Sequence, residues 1–179
     1  YGGQFESAQA ASRILFWTTV AALLVIFLLI YGEFRSVPLS AIVMLSLPLA
    51  LIGGVLAVLL TSRVVSIPSI IGFITLFGIA TRNGILLISN YRHLAQQGVP
   101  VAERVMRGSL DRLNPILMTA LTSALALIPL VLTGDKPGNE IQSPMAVVVL
   151  GGLLTSTLLN IYVMPVIYSR YATRKEVSL

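Results

Sequence analysis

Arg82 sits in the run GIATRNGILLISNY, a positive charge inside a stretch that is otherwise apolar or weakly polar. A guanidinium stays protonated in any protein environment, so this charge is permanent. Arg92 lies ten positions on from Arg82, roughly 15 Å along a helix axis, beyond easy reach of a snorkelling side chain. An arginine at the centre of a hydrocarbon layer costs about 2.5–3.5 kcal/mol by the lowest estimates. Such a charge needs a carboxylate partner or a wet cavity. The seven acids of the chain (Glu6, Glu33, Glu103, Asp111, Asp135, Glu140 and Glu176) all fall outside the long apolar runs. Arg82 therefore points to helices beyond this chain, carrying Asp or Glu at its depth.

Polar and small neighbours mark the surface on which it stands. Thr75, Gly78, Arg82 and Ser89 share one helical stripe, with Asn83 and Asn90 beside it. Thr119, Thr122 and Ser123 make a second polar patch. Gly152, Ser156 and Asn160 follow the small-xxx-small spacing of close helix packing, with Gly151 and Thr155 next to them.

The elements that position these residues are apolar helices. The chain has 179 residues, 56% hydrophobic and only 11% charged, with a mean hydropathy of +0.90. Charge that sparse does not cover a globular surface in water. A helix needs about 20 apolar residues to cross the hydrocarbon, and five segments supply them: residues 14–31, 38–60, 67–91, 115–133 and 144–168. They are too long and too continuous for barrel strands. Pro38, Pro68, Pro115 and Pro144 stand near the starts of spans, where a missing N–H costs nothing. Pro48 and Pro129 lie inside spans and are expected to kink them.

Alternating loops place eight cations on one side (Arg35, Arg92, Arg104, Arg107, Arg112, Arg170, Arg174 and Lys175) and three on the other (Arg13, Arg63 and Lys136). The richer side is expected in the cytoplasm. The N-terminus is then outside and the C-terminus inside, as an odd number of spans requires. Residues 92–114 are the longest connection. Val101, Val105 and Leu110 there predict a short amphipathic helix at the interface, with Arg104 and Arg107 reaching lipid phosphates. Residues 134–143 read as turns, with Asp135 and Glu140 as solvated charges. His93 stands alone at the membrane edge and is read as an interfacial residue rather than a ligand.

With no cysteine, the chain has no thiolate metal site, disulfide or thiol nucleophile. The net charge of +5 is too dispersed for a nucleic-acid groove, and no nucleic-acid partner is expected. Met44, Met118, Met145 and Met164 are scattered and read as packing. No metal ligand, cofactor or catalytic residue is assigned. The start, YGGQFESAQAAS, is polar and lacks the pattern of a signal peptide. It reads as the continuation of a longer polypeptide, with a small protein trimmed at its start as the alternative.

Four stretches, YGEFRSVPL, FGIATRNGILLISNY, DRLNPILMTALTSALALIPL and GNEIQSPMAVVVLGGLLTSTLLNIYVMPVIY, resemble the C-terminal transmembrane half of a resistance–nodulation–division (RND) efflux permease. GGQFES and GNEIQSP look more like its heavy-metal efflux branch. The resemblance covers nearly the whole chain. It implies an all-α integral membrane fold, these five helices being part of a twelve-span bundle in the bacterial inner membrane. Residues 1–12 would end a helix descending from a periplasmic domain, 13–170 would form the bundle, and 171–179 a cytoplasmic tail, so the N-terminus would be periplasmic and the C-terminus cytoplasmic.

It further implies proton antiport of heavy-metal cations by a homotrimer joined to a periplasmic adaptor and an outer-membrane channel. The family's proton relay would map to Arg82, with Asn83 beside it, to Thr119 in the Pro-Ile-Leu-Met-Thr segment, and to Arg112 near the cytoplasmic end. The family's drug branch carries lysine where Arg82 stands, and the titrating aspartates of the relay belong to the other half. Three further readings stay open: an RND permease for drugs or other organic molecules, a membrane enzyme, and a non-transporting scaffold. The enzyme reading is weakened because no span holds His, Asp or Glu.

Overall fold

The computed structural model describes residues 2–61 and 65–178; Tyr1 and Arg63, used above, lie outside them. Five helices follow one another: α1 (Gly2–Phe34), α2 (Val37–Leu60), α3 (Ile67–Gln96), α4 (Val101–Leu132) and α5 (Gln142–Val177). All five are long and apolar enough to cross a membrane.

Local signals account for the helix ends. Pro38 and Pro68 fall in the first turns of α2 and α3. The Ser66 hydroxyl caps α3 by accepting from the Ser69 amide at 3.4 Å. The α1–α2 connection is only Arg35 and Ser36, so the chain must reverse sharply. Arg35 does this with φ at 48°, the left-handed region usually left to glycine, and its amide donates to the Tyr31 carbonyl at 2.7 Å. A side chain there costs about 1–2 kcal/mol.

α5 is the hub, packed against α2, α3 and α4, whereas among the described residues α1 packs on α2 and α3 alone. Close α2–α5 approach depends on missing side chains. A Cβ on Gly53 would meet the Gly151 carbonyl oxygen at 2.6 Å and collide with the Thr155 side chain. Gly152 is covered by Leu76 of α3 in the same way. Gly152, Ser156 and Asn160 are all buried, and Asn160 Nδ2 donates to Ser156 Oγ at 3.4 Å. Small residues let backbones approach, and dispersion then holds helices that lipid gives no hydrophobic reason to associate.

Two expectations need correcting. Residues 101–114 are not a separate interfacial helix. α4 runs unbroken from Val101 through Pro115 and Pro129 to Leu132, and the true connection is residues 97–100, turned by Gly98 at φ 78°. Pro115 removes one amide donor but leaves the helix continuous, as prolines in membrane helices commonly do. Arg104 also does not reach outward. It shares a stripe with Val101, Val105 and Gly108, and that stripe faces the bundle. Val101 and Val105 pack on the cluster around Tyr91 and Tyr168, while Arg104 is 8% exposed. Leu110 is exposed on the other side. Among the methionines, Met164 is fully buried but Met118 is 68% exposed.

Candidate functional site

A helix turns about 100° per residue, and on α3 that rotation divides two neighbours. Asn83 is 4% exposed inside the bundle, whereas Arg82 is exposed on the outer face of the five helices. Gly78 and Thr75 are exposed on that same face, one and two turns before Arg82. A Cβ placed on Gly78 would touch nothing within 4 Å. Ser89, the last member of the expected stripe, is half-buried, and Asn90 turns to α4, where Nδ2 donates to the Gly108 carbonyl at 3.0 Å. The open part of the stripe is thus Thr75, Gly78 and Arg82.

Among the described residues the one ion pair is between Arg104 and Glu176. Arg82 has no carboxylate against it. Its charge lies on a surface that lipid alone would leave unpaired at high cost.

α3 and α4 are antiparallel and are clamped at one end by a hydrogen bond between the Tyr91 and Ser109 hydroxyls. Nine residues back from Tyr91 is Arg82; nine residues on from Ser109 is Met118. At one rise per residue, Arg82 and Thr119 stand at nearly the same depth, about 14 Å from the clamp. Thr119 is half-buried, and its hydroxyl donates to the Pro115 carbonyl at 2.9 Å. Thr122, exposed, donates to the Met118 carbonyl at 2.7 Å. Arg112, half-buried, lies one turn beyond the clamp, between it and Thr119. By depth Arg112 comes first and Thr119 and Arg82 stand level beyond it, on α4 and α3, while Asn83 is turned into the bundle.

Sequence reasoning missed the polar contacts at the cation-rich end. Arg104 Nη2 donates to the Val99 carbonyl at 2.9 Å and meets Glu176 at 3.4 Å, while Nη1 reaches the Tyr168 hydroxyl at 3.4 Å. Arg92 Nη1 donates to the last carbonyls of α1, those of Phe34 at 3.0 Å and Glu33 at 3.3 Å. A cation there complements the negative end of the helix dipole. The shared helical stripe of Arg104 with Val101 and Gly108 was a signal of inward orientation.

At the outer end, Asp135 and Glu140 are exposed, and Asn139 holds the turn by donating to the Thr133 hydroxyl at 2.8 Å. His93 is exposed beside Gln97.

Residues 1–172 match the model of the AcrB/AcrD/AcrF family. The chain is 40% identical over 176 residues to the cobalt-zinc-cadmium resistance protein CzcA of Cupriavidus metallidurans, covering 98% of this chain and 16% of that protein. It is 39% identical over 165 residues to the nickel and cobalt resistance protein CnrA of the same organism, covering 92% of this chain and 15% of the relative. The fold matches an X-ray structure of a heavy metal efflux pump with a TM-score of 0.85 at 37% identity, over 95% of this chain and 17% of that one. The chain spans about one sixth of the length of these proteins.

Proposed function

The chain belongs to the AcrB/AcrD/AcrF family of RND permeases, and from that premise we propose that it forms part of the proton-coupling membrane domain of a heavy-metal cation exporter. The observation that carries the proposal is Arg82, exposed on the bundle surface with no carboxylate of its own chain against it. In the proposed mechanism that surface is covered by the other half of the permease. A carboxylate there pairs with Arg82, and the fixed cation lowers its pKa. An incoming proton neutralises the carboxylate and breaks the pair. The helices then shift, and the shift biases the periplasmic part between access and extrusion states. Arg82 does not itself carry the proton, because its guanidinium does not titrate.

Thr119, level with Arg82, supplies a hydroxyl to the relay, and Arg112 lines the cytoplasmic end of the path. Asn83 acts from inside the bundle, as a buried amide on the face that sets the rotation of α3 and so the outward aim of Arg82. The exporter works as a homotrimer in the inner membrane with a periplasmic adaptor and an outer-membrane channel, N-terminus of this chain outside and C-terminus inside. Metal as cargo rests on the relatives' resistance to cobalt, zinc, cadmium and nickel. Resistance spectra of cells with and without the intact gene test it. Protection against divalent metal cations is the expected result; protection confined to organic compounds overturns the metal assignment and leaves the drug-exporting alternative.

A further inference from the structure

Away from the Arg82 face, at the end where α1 meets α2, lies a cleft of about 410 Å³. Four cations line it from four different segments: Arg35 of the α1–α2 turn, Arg92 of α3, Arg104 of α4 and Lys175 of α5. A single carboxylate, that of Glu176, lines it with them. Glu176 is 58% exposed and touches Arg104 at 3.4 Å. Its contact shows that an anionic oxygen fits against Arg104 without neutralising the cluster.

Arg104 is the built part of the site. It is 8% exposed, and its Nε is buried with no hydrogen-bond partner. Bonds from its terminal nitrogens to the Val99 carbonyl and the Tyr168 hydroxyl hold the guanidinium in place beside the cavity. Arg35, exposed on the α1–α2 turn, adds an accessible cation to the same lining.

We propose that this cleft binds the phosphate of an anionic phospholipid headgroup. Like-charged arginines and a lysine converging on one cavity call for a polyvalent anion. The same cleft has an apolar wall, with Phe34, Leu39 and Tyr171 beside the cations. A soluble phosphate has no use for that wall, whereas a lipid lays its glycerol and first acyl carbons along it. Basic pockets between helices at the membrane boundary are the expected form of such sites.

The test uses the purified intact permease, titrated with phosphatidylglycerol, with phosphatidylcholine as the neutral lipid and sodium phosphate as the soluble anion. Retained lipid is counted by native mass spectrometry, and thermal melting is followed in parallel. Wild type should retain phosphatidylglycerol over phosphatidylcholine. The double variant Arg35→Gly, Lys175→Gln should bind phosphatidylglycerol roughly tenfold more weakly or worse, while melting without added lipid as high as wild type, since glycine relieves the turn. Lys175→Gln alone, at an exposed helix end, should show part of the loss. Arg170→Gln, Arg174→Gln, which line a different cleft at the same end, should bind as wild type does. Unchanged affinity in the double variant overturns the proposal, as does an equal loss in the Arg170, Arg174 pair. Displacement of phosphatidylglycerol by sodium phosphate at matched concentration overturns the lipid assignment in favour of a soluble anion.

Discussion

Arg82 and Asn83 are consecutive residues that α3 sends to opposite sides: the amide into the five-helix bundle, 4% exposed, the guanidinium to its outer surface. The buried face of α3, which includes Leu76, Ala80, Asn83 and Leu87, sets the helix rotation, and at that rotation Arg82 lies outward. In water that would be an ordinary surface arginine. In hydrocarbon it demands a partner.

The glycine contacts between α2 and α5 predict a sharp positional contrast. Gly53→Val forces a branched side chain against the Gly151 carbonyl and Thr155. Overpacking of this kind costs about 1–3 kcal/mol and more where backbone is the obstacle. Gly32→Ala, near the end of α1, meets nothing within 4 Å and lies off the Arg82 stripe. Thermal melting of the intact permease should drop for Gly53→Val and hold within about 0.5 kcal/mol of wild type for Gly32→Ala. Equal behaviour of the two would contradict the packing described here.

Tyr91 and Ser109 clamp α3 to α4 at the cation-rich end. Tyr91 is fully buried and stacks on Tyr168 at a centroid distance of 4.5 Å. Tyr91→Phe and Ser109→Ala each remove one side of a hydrogen bond worth about 1 kcal/mol. A double-mutant cycle should show the double variant losing little more than either single one. Strictly additive losses would mean that the hydroxyls do not act together.

Much of this was readable from residue types alone. Five runs of apolar length predicted five helices, and the spacing of Thr75, Gly78, Arg82 and Ser89 predicted one face, of which the first three are exposed and Ser89 is half-buried. The inward turn of Arg104 was harder, because its partners Tyr168 and Glu176 are 64 and 72 residues away. Separation in sequence hides such contacts, and a basic residue in a polar stretch reads as solvated until the packing partner is seen. The continuity of α4 was obscured by Pro115, which reads as a helix start in water and is tolerated in mid-helix within a membrane. The left-handed Arg35 carried no sequence signal, since glycine is the usual mark of that conformation.

Orientation can be read with cysteine chemistry, since this chain contains none. Asp135→Cys and Ser178→Cys are introduced singly into a cysteine-free form of the intact permease. A membrane-impermeant maleimide should label Asp135→Cys in intact cells with a permeable outer membrane, and Ser178→Cys only after lysis. The reverse pattern would place the eight-cation side outside and contradict the positive-inside assignment.

The central claim is that Arg82 is a fixed charge on which proton coupling depends. Its most direct measurement is metal transport by the intact permease in proteoliposomes under an imposed pH gradient, for wild type, Arg82→Lys and Arg82→Ala, with equal amounts of folded protein in each. Loss of proton-driven transport in Arg82→Ala, with substantial activity kept in Arg82→Lys, is the predicted result. Proton-driven transport by Arg82→Ala near the wild-type rate would contradict it.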